Sequence, residues 1–150
     1  MTKYVFNSFQ AWNAIYIFFR SLWDLDPSRF AAKGTGVGAF LSFSNMEFED
    51  DYEWRRVCVN VLQKPCLLDE KLAPDDIHKL ALGMIEKYEK KFRFDLSSLK
   101  TIMTGLRSFP NAFKKEESLW QEAFERTGRG ERWEWLRGYS FAQWSEPVTN

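Results

Sequence analysis

Residues 5–25 read VFNSFQAWNAIYIFFRSLWDL, and the spacing of the large side chains in this stretch decides the fold. Val5, Phe9, Trp12, Tyr16, Phe19 and Trp23 recur at alternating steps of four and three, which puts them on one helical face. Ala11, Ile15, Phe18, Leu22 and Leu25 form a second stripe beside the first, and Gln10, Asn13, Arg20 and Asp24 remain as a narrow polar edge. A helix apolar over most of its circumference has to be surrounded. This one is expected to run from about Asn7 to Asp24 through the centre of the molecule. Asn7 with Gln10 three residues later fits a reciprocal capping pair at its start, and Asp26-Pro27 fits its end.

Working outward, the same period recurs in the segments that must surround it. Trp54, Val57, Cys58, Val61 and Leu62 form the inner face of a helix broken by Pro65. Pro74 with Asp75 and Asp76 opens another, which turns Ile77, Leu80, Ala81, Met84, Ile85, Tyr88 and Phe92 inward and ends in Lys87, Lys90 and Lys91, where cations favour a helix. Asp95 caps a helix through Leu96, Leu99, Ile102, Met103, Leu106 and Phe109, stopped by Pro110. A last one carries Leu119, Trp120, Ala123 and Phe124 and ends at Gly128, with one or two helical turns expected over 129–137. A strand pattern shows only faintly, at Tyr4 to Phe6. The fold class is all-α: a single-domain bundle of about six helices with short connections. Residues 28–38, with three alternate glycines and no period, are expected to form a flexible loop, and residues 138–150 an irregular tail. The glycines do not make a phosphate loop, because Lys33 precedes the first of them instead of following the last.

One domain is the expectation for 150 residues. Fourteen Phe, seven Trp and five Tyr are more rings than a small core needs. Each can bury about 150–250 Å², an upper figure of roughly 4–6 kcal/mol, so either the helices pack closely around rings or some rings stay outside as binding anchors. Lys plus Arg and Asp plus Glu both number 21, which leaves no overall field to draw the chain to nucleic acid or to an anionic membrane. The apolar run at 14–19 is far below the ~20 residues that cross a bilayer, and no signal-peptide pattern opens the chain. A cytoplasmic location with reduced thiols is expected.

Cys58 and Cys66 match no zinc spacing and have only His78 as a further soft ligand, so neither metal nor cofactor is expected. Nucleophilic catalysis needs an activating base; His78, early on its helix beside Asp75, Asp76 and Lys79, reads as a solvated helix residue, and no enzyme activity is expected. The surface feature that stands out is the run Glu47, Phe48, Glu49, Asp50, Asp51, Tyr52 and Glu53. Helix dipole stabilisation, about 0.3–1 kcal/mol per carboxylate, accounts for two acids at a helix start, and this run has five. A solvated acidic face is the plain reading; a docking surface is the sharper one. Arg129, Arg132 and Arg137, interleaved with Trp133 and Trp135, are a pattern that stacks single-stranded bases, but Glu131 and Glu134 dilute it, and docking of the tail onto the bundle is the simpler expectation.

From Gly38 to Leu62 the chain reads GAFLSFSNMEFEDDYEWRRVCVNVL. This resembles a segment of small helical immunity proteins from bacterial polymorphic-toxin and contact-dependent growth inhibition systems. There, an aromatic-rich first helix precedes a Leu-Ser turn, an acidic stretch and a tryptophan-bearing helix. Ala11, Phe18 and Phe19, then Leu41-Ser42, then Asp50-Asp51, then Trp54 occupy those places here. The Asp-Gly and Asp-Pro pairs and the second tryptophan of those families are absent between Phe40 and Gln63. The resemblance implies a protein that neutralises a cognate toxin in the cytoplasm, its acidic face covering a basic, nuclease-type active site. Glu47, Glu49, Asp50, Asp51 and Glu53 would then steer or mimic substrate, with Phe48 and Tyr52 as anchors. The alternative is a helical adaptor that binds an endogenous protein through tail aromatics such as Tyr139, Phe141 and Trp144.

Overall fold

Asn7 Oδ1 accepts from the Gln10 amide at 2.8 Å, Gln10 Oε1 accepts from the Asn7 amide at 2.9 Å, and this reciprocal pair starts helix α1, Ser8–Leu25. The computed structural model describes residues 4–30, 36–38, 40, 48–65, 70–108 and 110–132, with the backbone alone for 48–53 and 110. Asp26 closes α1, and Pro27, which fits a first helical turn, opens the short α2, Pro27–Phe30. The described chain continues through α3 (Phe48–Leu62), α4 (Pro74–Phe92), α5 (Ser97–Ser108), a 3₁₀ turn (Pro110–Phe113) and α6 (Lys114–Gly128). An all-α, single-domain bundle results. The faint strand signal at Tyr4–Phe6 amounts to one antiparallel pair, Phe6 with Leu72.

α1 is the axis. Every residue from Ala11 to Phe19 is buried, as its double stripe requires. α6 covers one side and runs antiparallel to α1: Phe6 meets Phe124, Phe18 meets Trp120 edge-on at 4.9 Å, and Arg29, just beyond α1, pairs with Glu116 at 2.8 Å. α3 covers another side, with Trp54 stacked on Trp12 at 6.0 Å and its Nε1 donating to the Ser8 carbonyl at 3.1 Å. The stripe overruns its cover at both ends, because Val5 is 57% and Leu25 53% exposed.

Two expectations are corrected. Asn13, placed on the polar edge of α1, is buried, and its Nδ2 donates to Thr127 Oγ1 and to the Glu131 carbonyl, both at 2.9 Å. α6 comes close enough to α1 there for Asn13 to face the neighbouring helix, while on the same edge Arg20 is only half-buried and Asp24 stays exposed. Asn13→Ala should therefore cost about 1–3 kcal/mol, because it strands the buried Thr127 hydroxyl and removes the partner of the half-buried Glu131 carbonyl, and a lowered urea midpoint at unchanged m-value is the measurement. His78 is likewise buried and not solvated, since α5 and α6 close over the first turns of α4. The flexible loop expected at 28–38 is described only at its ends, where Phe30 and Val37 are buried and Gly36 sits at φ +82° against the Phe94 ring. Residues 31–35 lie outside the described residues, as do Leu41-Ser42 of the resemblance, Phe109, and the tail from 133 to 150.

Helix ends follow local chemistry. Asp95 Oδ1 accepts from the Ser97 amide at 3.1 Å and hydroxyl at 2.6 Å at the start of α5, and these bonds hold its carboxyl below the usual carboxylate range. α6 ends at Gly128, and the left-handed residue that turns the chain is Gly130, φ +87°, with Glu131 N bonded to the Arg126 carbonyl and Gly130 N to that of Thr127. The expected helical turns do not begin before residue 133. Arg126 instead grips Glu131 through two bonds of 2.8 and 2.9 Å, and Arg132 lies 5.2 Å over the Phe9 ring. Glu131 and Arg132 are thus engaged within the molecule, while Trp133 and Leu136, on which the docking expectation rests, lie outside the described residues.

Candidate docking surface

α3 and α4 form a helical hairpin whose geometry sets the surface. Cys58 and Leu62 of α3 lie with Ser8 and Leu72, beside the start of both α1 and α4, while Trp54, one turn earlier in α3, reaches Trp12 further along α1. α3 therefore runs antiparallel to α1 and to α4, and its first turns stand at the end of the hairpin where α4 finishes in Lys87, Lys90 and Lys91. Close approach is set at Gly83: a methyl there would meet Val61 Cγ2 at 2.6 Å and Val57 Cγ1 at 3.1 Å. On the outer side of this contact the helices part into an open groove of about 620 Å³, with Val57, Val61 and Gly83 as floor and Asn60, Glu86 and the three lysines around it.

The seven residues expected to bind fall as follows. Glu47 lies outside the described residues. Phe48, Glu49, Asp50, Asp51, Tyr52 and Glu53 form the first turn and a half of α3, and their side chains also lie outside the description. Helical register nevertheless divides the run, because successive residues step ~100° around the axis. Glu49 and Glu53 are seven residues or fewer from Arg56, which is half-buried, and eleven and seven from exposed Asn60, so they share the outer register. Asp50 and Asp51 stand four and three residues before Trp54 and seven before Val57 and Cys58, in the register of the buried face. A run contiguous in sequence is thus two positions on one face and two on another.

The groove itself was not among the expected sites. Its one sequence signal is Gly83 in the middle of a helix, where glycine costs about 1 kcal/mol relative to alanine and a close neighbour is the usual compensation.

The other candidate residues are placed as follows. His78 Nε2 lies 2.6 Å from the Met103 carbonyl, and burial pushes the imidazole below its ordinary pKa of 6.5, ahead of the opposing effect of that bond. Cys58 is buried, and Cys66 lies outside the described residues. Among the described residues no group of three His, Cys, Asp or Glu is placed to hold a metal, and no helix is long and apolar enough to cross a membrane. No protein-family model matches the chain, and neither a curated protein nor a solved structure is significantly similar to it.

Proposed function

We propose that this chain is an immunity protein that binds a cognate bacterial toxin in the cytoplasm and covers a basic, nuclease-type site with the acidic start of α3. The observation that carries the reading is the outward register of Glu49 and Glu53 on a helix whose opposite face is locked into the core by Trp54. A rigid helix with like charges one turn apart offers a cationic cleft a preformed partner. Such a field acts mainly on encounter, raising association rates by about 10–10³ where charges are complementary. Asp50 and Asp51 add to that field but stand in the inner register, so they are assigned a part in seating α3.

The test compares two double variants of equal charge change. Glu49→Lys with Glu53→Lys should leave the unfolding midpoint near wild type, slow association with the toxin domain about tenfold or more at low salt, and abolish protection in cells producing it. Asp50→Lys with Asp51→Lys should instead lower the midpoint. Equal protection by the outer-register variant and the wild type would remove the proposal. The toxin domain to be used is one encoded beside the gene for this chain. Capture of a household protein, undisturbed by either pair, would favour the adaptor reading.

A further inference from the structure

The geometry points to His78 as an acid-sensitive latch: a proton taken up on Nδ1 unseats α5 and α6 from the start of α4. Independently of any partner, the argument begins with the carbonyl of Met103, which can only accept. Its 2.6 Å approach to Nε2 therefore fixes the hydrogen on that nitrogen. Nδ1 is then the bare nitrogen, and it is buried without a hydrogen-bond partner. His78 is 8% exposed, and its ring stands edge to Trp120 of α6 at 6.3 Å. One imidazole thus ties three helices through a donor bond on one side and an aromatic contact on the other.

In the neutral form the arrangement costs little, since an unused acceptor is the least demanding buried polar group. Protonation changes both charge and hydrogen-bond count. The imidazolium would carry a second N–H with no acceptor in reach, in a site too dry to solvate it. The charged groups around it are Asp75 on α4, Arg107 on α5 and Glu117 on α6. Asp75 and Glu117 favour the proton and Arg107 opposes it, but Asp75 is itself spent on Arg107 at 3.2 Å. Burial, the largest influence, also opposes it. The closed junction therefore refuses a proton that the opened one accepts at an ordinary pKa near 6.5. Because the folded value is lowered, closure is fully favoured above about 6.5 and weakens as pH falls below it, by up to tenfold in the opening equilibrium per pH unit for one proton.

His78 is the only histidine in the chain, so its imidazole Cε1 proton gives one unambiguous signal. The experiment follows that signal from pH 7.5 to 5 in the full chain, alongside amide exchange corrected for intrinsic rate. The expected result is a titration shifted below 6.5, with protection in α5 and α6 falling by up to tenfold per pH unit while the Trp12–Trp54 region of α1 and α3 holds. His78→Gln keeps an amide donor for Met103 without a titrating nitrogen, and its protection in α5 and α6 should be flat over the same range. Titration at the ordinary value with α5 and α6 still protected overturns the latch, as does equal acid sensitivity in the glutamine variant. If that variant does not fold, the wild-type titration decides alone.

Discussion

Trp54→Ala should lower the stability of the chain by roughly 3–5 kcal/mol, the range for removing a large aromatic from a packed core. The residue is fully buried, it lies parallel to Trp12 at an interplanar angle of 10°, and its indole N–H is spent on the Ser8 carbonyl. Truncation leaves a cavity against Trp12 of α1, whose ring already packs on Phe9 and Tyr16. Against a total of about 5–15 kcal/mol for a domain this size, the loss is between about a fifth and all of the folding free energy. Trp54→Phe should cost less, since it keeps a ring and gives up the hydrogen bond. Urea unfolding followed by circular dichroism, with the m-value held constant, measures both. Under the proposed function the alanine variant also loses toxin binding, since the first turn of α3 is no longer held in place. It differs from the Glu49 and Glu53 reversals in losing stability at the same time.

The same residues show what the sequence discloses. α1 is legible because nearly all its circumference is apolar, and its capping pair is a local signal three residues wide. α4 is legible for a similar reason: proline at its start, lysines at its end and an unbroken inner stripe agree with one another. Asn13 and His78 are misread because their partners lie 114 and 25 residues away, and the polarity of a side chain does not say whether water or another helix will satisfy it. The acidic run is legible only as composition. A helix turns contiguous acids around an axis, so a patch in one dimension becomes separate faces in three. The groove depends on two helices at once and leaves only Gly83 as a trace.

Gly36→Ala distinguishes a free loop from an anchored one by the sign of its effect. In a free loop, alanine restricts the unfolded chain and stabilises by about 0.4–1 kcal/mol. Here Gly36 holds φ +82°, and its carbonyl accepts from the amide of Phe40, a fully buried residue packed on Phe19 and Tyr88. A methyl at Gly36 would run into the Phe94 ring, which is stacked on Phe92 at 5.3 Å and has limited room to withdraw. Left-handed strain of about 1–2 kcal/mol and overpacking of about 1–3 kcal/mol act together, so a net cost of roughly 2–4 kcal/mol is expected. Gly38→Ala supplies the control within the same stretch. A methyl there would touch only the Trp23 ring, at 3.5 Å, an ordinary contact distance, and the midpoint should stay within about 0.5 kcal/mol of wild type. Urea midpoints of the two variants beside wild type measure the difference: a large loss at Gly36 with little change at Gly38 means that Phe94 and Phe40 clamp the segment. Equal and small effects would mean that the glycines serve flexibility alone, as their spacing in the sequence suggests.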